Sequence, residues 1–342
     1  TVGSAWDLPT KVGPLIAPPS GDLETALLTL EAGESWALMP CRLQGNECLW
    51  SPGIKWDVQP GSFTHMTELF GPVLGVMRFE TLQEALSLVN QTGFGLTSGL
   101  QSLDDREQAE WKAGIRAGNL YINRGTVGAI VLRQPFGGMG KSAFGPGLKA
   151  GGPNYVAQFM RFGEPQSQNI AAAITSYASA WENEFSCEHD HFRLIGQDNI
   201  RRYMPVSEVR IRVHSDDTDF EISARIAAAR TAGCRITLSV PPGFASGYLD
   251  DQVEETDEEL AFAIKRGAVG RVRYASPARV PAVVRRAAAE TQTYIADAPV
   301  LSEGRIELLW FVQEQSISFD YHRYGNLGAR ASESRAPITP AI

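Results

Sequence analysis

The residues most capable of chemistry in this sequence are four cysteines, Cys41, Cys48, Cys187 and Cys234, any of which could act as a thiolate nucleophile or a metal ligand. Their irregular spacing forms no CxxC pair for zinc or redox work and no disulfide framework, so they read as reduced thiols. A second grouping is Cys187-Glu188-His189-Asp190-His191, whose two histidines would face the same way on a strand, as metal ligands do. A solvated helix end after Trp181 and Phe185 accounts for the same residues. The acidic run Asp250, Asp251, Glu254, Glu255, Asp257, Glu258 and Glu259 could attract a cation, or form the wet face of a helix. Pro241-Pro242-Gly243-Phe244 falls at a strand end where a phosphate loop could sit, but it lacks the G-x-G-x-x-G spacing and is not read as a nucleotide site.

Glycine supplies a different kind of candidate. Between Arg133 and Pro153 stand Gly137, Gly138, Gly140, Gly145, Gly147, Gly151 and Gly152, too many for regular structure. A loop this long costs entropy that packing rarely returns, and such loops usually serve a function.

The elements that must position these groups follow from periodicity. Leu23, Ala26, Leu27 and Leu30 mark a half-buried helix over Asp22–Glu31, and the apolar run Phe70–Phe79 suits a buried strand. Thr81 and Glu84 form a T-x-x-E capping box for the next helix. Leu96–Leu100 reads as strand, Asp104–Ala117 as helix and Gly118–Asn123 as strand, an alternation that predicts an α/β domain with a mostly parallel sheet. Composition shifts after Phe162, so a domain boundary is expected near residue 165. Beyond it the alternation resumes: strand Val209–Val213, helix Asp219–Ala232, strand Arg235–Val240, an acidic helix from Glu254, strand Val269–Tyr274, helix Pro281–Glu290 and a final strand Ile306–Val312. The expected fold class is therefore α/β throughout, with one α/β domain over 1–165, a second, smaller α/β domain over 166–330, right-handed crossovers and a loose tail over 331–342.

Composition bounds the partners. A net charge of −8 and the shortness of basic clusters such as Arg201-Arg202 argue against nucleic acid. No apolar run approaches the ~20 residues of a membrane span. Thr1-Val2-Gly3-Ser4-Ala5-Trp6 has neither the basic flank nor the apolar stretch of a secretory signal, so the expected compartment is cytoplasmic.

Six strings in order then carry a resemblance. Glu68–Phe79, ELFGPVLGVMRF, resembles the E-x-F-G-P-V segment of aldehyde dehydrogenases. Val12–Ile16 is similar to their VGPLI turn, and Gly45-Asn46-Glu47 to a G-N-G-type turn. Gly95–Leu100, Gly118–Arg124 (GNLYINR) and Gln134–Gly138 (QPFGG) continue the match. Lys149-Ala150-Gly151-Gly152-Pro153 resembles the substrate anchor loop of Δ1-pyrroline-5-carboxylate dehydrogenases, which oxidise glutamate semialdehyde with NAD. The stretch Ser142-Ala143-Phe144-Gly145-Pro146-Gly147-Leu148 departs from the family's S-G-T-G-P, so the loop's rim is expected to differ.

By this resemblance Glu68 would accept hydrogen bonds from the nicotinamide ribose, Phe70 would pack at the nicotinamide end, and Gly151, Gly152 and Ser142 would hold the substrate carboxylate. The glycine N–H groups would bond the anion without a cationic side chain. The second domain and its end, Glu314–Asp320, resemble the extra domain and tail of long proline utilisation A proteins, which join an FAD-dependent proline dehydrogenase to this enzyme. Tyr321-His322-Arg323-Tyr324 departs from the small residues usual there, and Gln315–Phe319 alternates as a half-buried strand that would pair with an exposed sheet edge.

The family's nucleophilic cysteine sits in a G-Q-x-C string well before its glutamate. Neither Cys41 nor Cys48 has those neighbours, so the nucleophile and general base are expected outside this chain, whose partner would be the remainder of its own catalytic domain, with a homo-oligomer possible. The chain alone is expected to be inactive. The other reading is a noncatalytic assembly module that covers a partner's active site.

Overall fold

A computed structural model describes residues 1–43, 45–143, 145–163, 168–244, 247–248 and 252–336. Contacts divide it into two compact units, Thr1–Gly93 and Phe94–Ile342. No helix among the described residues is long and apolar enough to cross a membrane.

The first unit contains α1 (Gly21–Leu28), β1 (Ser35–Leu38), β2 (Gly53–Trp56), the short α2 (Phe63–Met66), β3 (Val73–Gly75) and α3 (Leu82–Gln91). The strands form a sheet in the order β1-β2-β3, antiparallel then parallel. Thr81 caps α3 by accepting from the Glu84 N–H, while the Glu84 carboxylate reaches back to the Glu80 N–H at 2.7 Å, one residue beyond the expected partner. The apolar run after Phe70 forms only the three-residue β3, whose side chains are half-buried or exposed.

The second unit begins with β4 (Phe94–Gly95), β5 (Thr97–Leu100), α4 (Asp105–Gly114), β6 (Asn119–Ile122) and β7 (Met139–Gly140). It continues with α5 (Ile170–Ala180), β8 (Gln197–Pro205), β9 (Glu208–Arg212), α6 (Asp219–Ala232), β10 (Arg235–Val240), β11 (Gln252–Glu254), α7 (Asp257–Lys265), β12 (Arg271–Arg273), α8 (Ala282–Thr291), β13 (Tyr294–Ala296), α9 (Gly304–Glu307) and β14 (Val312–Asp320). Five of these strands make an all-parallel sheet in the order β11-β10-β9-β12-β13. That is a doubly wound order whose direction reverses between β9 and β12. Its best-defined helix, α6, has a full capping box between Thr218 and Glu221 and ends at Gly233, whose φ of +78° suits a residue without Cβ.

A second sheet runs β5-β6-β14-β8 and corrects two expectations. Ile306–Val312 is not a strand: α9 and a 3₁₀ turn over Leu308–Trp310 precede β14. A Cβ on Gly304 would lie 2.4 Å from the Ser176 carbonyl oxygen, so this segment packs backbone to backbone on α5. The tail strand does not merely add to an edge. β14 lies between β6, parallel, and β8, antiparallel, and buries Ser316 and Ser318 as well as Ile317. Because β6 and β14 are neighbours, the compact division falls between Gly93 and Phe94, while residue 165 lies outside the described residues.

The tail from 331 is tied down as far as it is described. Arg335 donates to the Leu194 and Gln197 carbonyls and to Asp198, and the Arg330 guanidinium lies 3.7 Å from the Tyr321 ring centroid while pairing with Asp198. Residues 337–342 lie outside the described residues.

Candidate functional site

Each unit carries its own group of candidate residues. In the first, the turn between α2 and β3 borders a cavity of about 270 Å³ lined by Thr64, Thr67, Glu68, Phe70, Gly71 and Gly75 among others. Glu68 is exposed there, and among the described residues no side chain bonds its carboxylate. Phe70 is 86% exposed with φ +48°, a left-handed backbone that costs a bulky residue free energy. The turn is held in place by Gly71, where a Cβ would meet Leu23 Cδ1 at 2.2 Å. Beneath the cavity, buried Lys55 bonds Thr64 Oγ1 at 3.1 Å and pairs with Glu34 at 3.3 Å.

In the second unit, the glycine-rich loop wraps a buried amine. Lys149 Nζ bonds Asn119 Oδ1 at 3.1 Å and the Gly137 carbonyl, and Gly118 and Gly137 make room for it, since a Cβ on Gly118 would lie 2.6 Å from Nζ. The Phe136 and Ala150 peptides bond each other across the loop at 2.9 and 3.1 Å. The loop is also fastened from later in the chain. The Glu314 N–H bonds the Gly147 carbonyl at 3.0 Å, the Glu314 carboxylate accepts from the Lys149 N–H at 2.7 Å and from Asn154, and buried Arg271 donates to the Pro146 carbonyl at 2.7 Å. Asn119, Lys149 and Glu314 lie inside strings that carry the resemblance and Arg271 inside an expected strand, but nothing local indicates that these side chains are buried together around the loop.

The three expected substrate contacts have other engagements. Ser142 Oγ accepts from the Gly95 N–H at 3.1 Å, and the Gly152 N–H donates to the Lys149 carbonyl at 3.1 Å. A Cβ added to Gly152 would lie 3.3 Å from Glu314 Oε2, so the Glu314 carboxylate stands beside this glycine. At Gly151, φ +75°, an added Cβ would lie 3.2 Å from Val131 Cγ1. Val131 belongs to an exposed apolar stretch with Val127, Ile130 and Leu132, and Leu132 also has a left-handed backbone, φ +69°. Phe144 lies outside the described residues.

Burial pushes the Lys149 ammonium down to about 7, against the pull of Glu314, and pushes the Glu314 carboxyl above its usual range, against the hydrogen bonds from Asn154 and Lys149. For Lys149 the folded value lies below the unfolded one, so the unfolded chain holds more protons between about pH 7 and 10.5 and stability rises with pH there. The shift of Glu314 acts oppositely, favouring the fold at acid pH and losing that contribution as pH rises through its raised folded value. Melting temperature is therefore expected to climb from pH 7 to 9, with Lys149 adding at most about 1.4 kcal/mol per pH unit. Lys149→Met should flatten the climb, and an equal slope in that variant would remove Lys149 as its source.

The remaining candidates do not assemble. The His189 and His191 rings do stack, 5.9 Å apart, but His189 Nε2 contacts the Glu184 carbonyl at 2.8 Å, and among the described residues no group of three or more His, Cys, Asp or Glu could hold a metal. In the acidic run Glu255 pairs with Arg210, Asp257 with Arg212, the Glu259 carboxylate accepts from the Thr256 N–H in the capping box of α7, and Glu254 accepts from the Gly243 N–H. Asp250 and Asp251 lie outside the described residues. All four cysteines are free thiols; Cys234 bonds the Phe311 carbonyl, and burial pushes its thiol up to about 11.

Comparison with known proteins matches residues 1–163 to a single description, the aldehyde dehydrogenase family. Those residues belong to the aldehyde dehydrogenase family. The "Bifunctional protein PutA" of Salmonella typhimurium is 33% identical over 176 residues, 49% of this chain and 13% of that protein. The "1-pyrroline-5-carboxylate dehydrogenase" of Bacillus subtilis is 33% identical over 164 residues, 47% of this chain and 31% of that protein. The solved structure of Proline Utilization A from Corynebacterium freiburgense matches with a TM-score of 0.78 and 37% identity, covering 93% of this chain and 32% of that one. The structural likeness thus runs well beyond residue 163, and the chain has the aldehyde dehydrogenase fold of mixed α/β sheets. It spans about a third or less of the length of these relatives.

Proposed function

We propose that this chain is part of an NAD-dependent dehydrogenase that oxidises glutamate semialdehyde, formed from pyrroline-5-carboxylate, to glutamate in proline catabolism. The observation that carries the reading is the likeness to Proline Utilization A over 93% of the chain. NAD, when bound, supplies the acceptor for the hydride that leaves the aldehyde carbon. The residues present suit it. Glu68, whose carboxylate has no bonded side chain among the described residues, offers two oxygens to a ribose diol, beside a cavity and next to an exposed phenyl ring on a left-handed backbone.

Toward the substrate, the loop around Gly151 and Gly152 is assigned a shaping role. Its glycines admit Val131 and Glu314 at close range, and the exposed apolar residues Val127, Ile130, Val131 and Leu132 beside Gly151 suit the methylene chain of the semialdehyde. None of the four thiols is assigned the nucleophile: among the described residues none bonds a histidine or carboxylate that could activate it.

The test is kinetic, on the full-length protein that carries this chain. It should form NADH from pyrroline-5-carboxylate, and Glu68→Ala should raise KM for NAD about ten- to a hundredfold, the worth of charge-assisted hydrogen bonds, with little change in KM for the semialdehyde. Absence of NADH formation by the wild-type protein would overturn the reading. An unchanged KM for NAD in the variant would remove Glu68 from the cofactor site.

A further inference from the structure

Doubly wound sheets bind ligands outside the carboxyl ends of their strands where the strand order reverses, commonly with a phosphate at the following helix N-terminus. In this chain that place lies between β9 and β12, ahead of α6. It is filled from within. The Asp217 side chain, 1% exposed, accepts from Arg225 Nη2, from Arg279 Nη1 at 2.7 Å and from the His214 N–H at 3.0 Å. Arg225, wholly buried, also donates to the Arg212 carbonyl at 2.8 Å and the Arg273 carbonyl at 3.3 Å, the last residues of the two strands that flank the reversal. Two guanidinium groups and a backbone N–H thus converge on one carboxylate, the donor set by which proteins hold an oxyanion. Beside it a cavity of about 180 Å³ is lined by Thr218, Glu221, Ser276 and Arg279, and Glu221 is itself neutralised by Arg279 at 2.9 Å.

We propose that Asp217 is a built-in anion, which closes this crevice to phosphate-bearing ligands, and that removing its carboxylate turns the crevice into a binding site for an inorganic oxyanion such as phosphate. Without Asp217, buried Arg225 loses the carboxylate it is paired with, and the space vacated joins the neighbouring cavity. Burial makes that loss costly, and an anion that enters recovers it by mass action.

The experiment compares wild type and Asp217→Ala in phosphate and in chloride at equal ionic strength. Asp217→Ala is expected to melt below wild type in chloride, and millimolar phosphate to raise its melting temperature by about 2–4 °C more than it raises that of wild type. The wild-type response measures the general stabilisation that phosphate gives any fold. Should Asp217→Ala not fold in chloride, its refolding is expected to recover in phosphate, and Asp217→Asn, which keeps the side-chain volume, carries the same melting comparison. Equal phosphate responses in wild type and both variants would overturn the proposal, as would saturable phosphate binding by wild type at this crevice.

Discussion

Deleting Glu314–Ile342 is expected to abolish cooperative unfolding of the second unit rather than to trim its stability. The deletion removes all of β14 except Val312 and Gln313, and β14 is an inner strand. Ser316–Phe319 pair with Asn119–Ile122 on one side, and Val312–Asp320 with Pro205–Gln197 on the other. Without the strand, β6 and β8 each lose a ladder, and every buried backbone group left without a partner costs about 1–3 kcal/mol. Burial of Ile317 adds roughly 1.5–3 kcal/mol. The fastening of the glycine-rich loop by Glu314 and the clamps from Arg330 and Arg335 to Asp198 are lost as well. The sum exceeds the 5–15 kcal/mol, roughly, by which a whole domain is stable. Calorimetry and near-ultraviolet circular dichroism of the truncated protein should show no native transition for this unit. A melting temperature close to that of wild type would mean that β8 and β6 close up without it, and the sheet order described above would be wrong.

The second large effect is expected at Glu307. Its side chain and that of Arg273 are both wholly buried, joined by Nη2 contacts of 2.8 and 3.1 Å and an Nε contact of 3.2 Å. Burial pushes the Glu307 carboxyl up, and the Arg273 charge opposes that push. Glu307 Oε2 also accepts from the Leu301 N–H at 3.0 Å, while Arg273 holds the Ala298 carbonyl at 2.6 Å, so the pair joins β12 to α9 and the loop before it. Glu307→Ala leaves a guanidinium in the interior with no counter-charge, which costs about 3–5 kcal/mol. Replacing both residues with apolar side chains of similar volume should cost far less, because two desolvation penalties disappear together. Urea denaturation of the single and double variants measures the contrast. If Glu307→Ala unfolds at the same urea concentration as wild type, the charge has found water, and the pair is not buried as described.

Local signals in the sequence determined much of the second unit. The helix Asp219–Ala232 and the strand Arg235–Val240 were legible to the residue, because Thr218, Glu221 and Gly233 mark the ends of α6 by bonds made within a few residues. Glu68 and Phe70 were likewise legible as candidates, since their string is continuous, and the left-handed backbone at Phe70 was not needed to find them.

Other features had no local mark. Gln197–Pro205 is polar enough to pass for a loop, yet it forms β8, because Arg201 pairs with Glu184 and Asp198 with Arg330 and Arg335, residues remote in sequence. Residues 306–312 are apolar enough for a strand, but tight packing of Gly304 on α5 favours helical turns through Trp310, and the strand begins only at Val312. Nothing local to Gly152 indicates that the Glu314 carboxylate stands beside it, and nothing local to Asp217 indicates that its carboxylate is buried against Arg225. Short-range hydrogen bonding and periodicity act within a turn or a strand, so the sequence determines them directly. Which buried charge meets which partner depends on elements that the fold brings together, from Asp217 and Arg225 eight residues apart to Lys149 and Glu314 165 apart, and only the tertiary structure decides that.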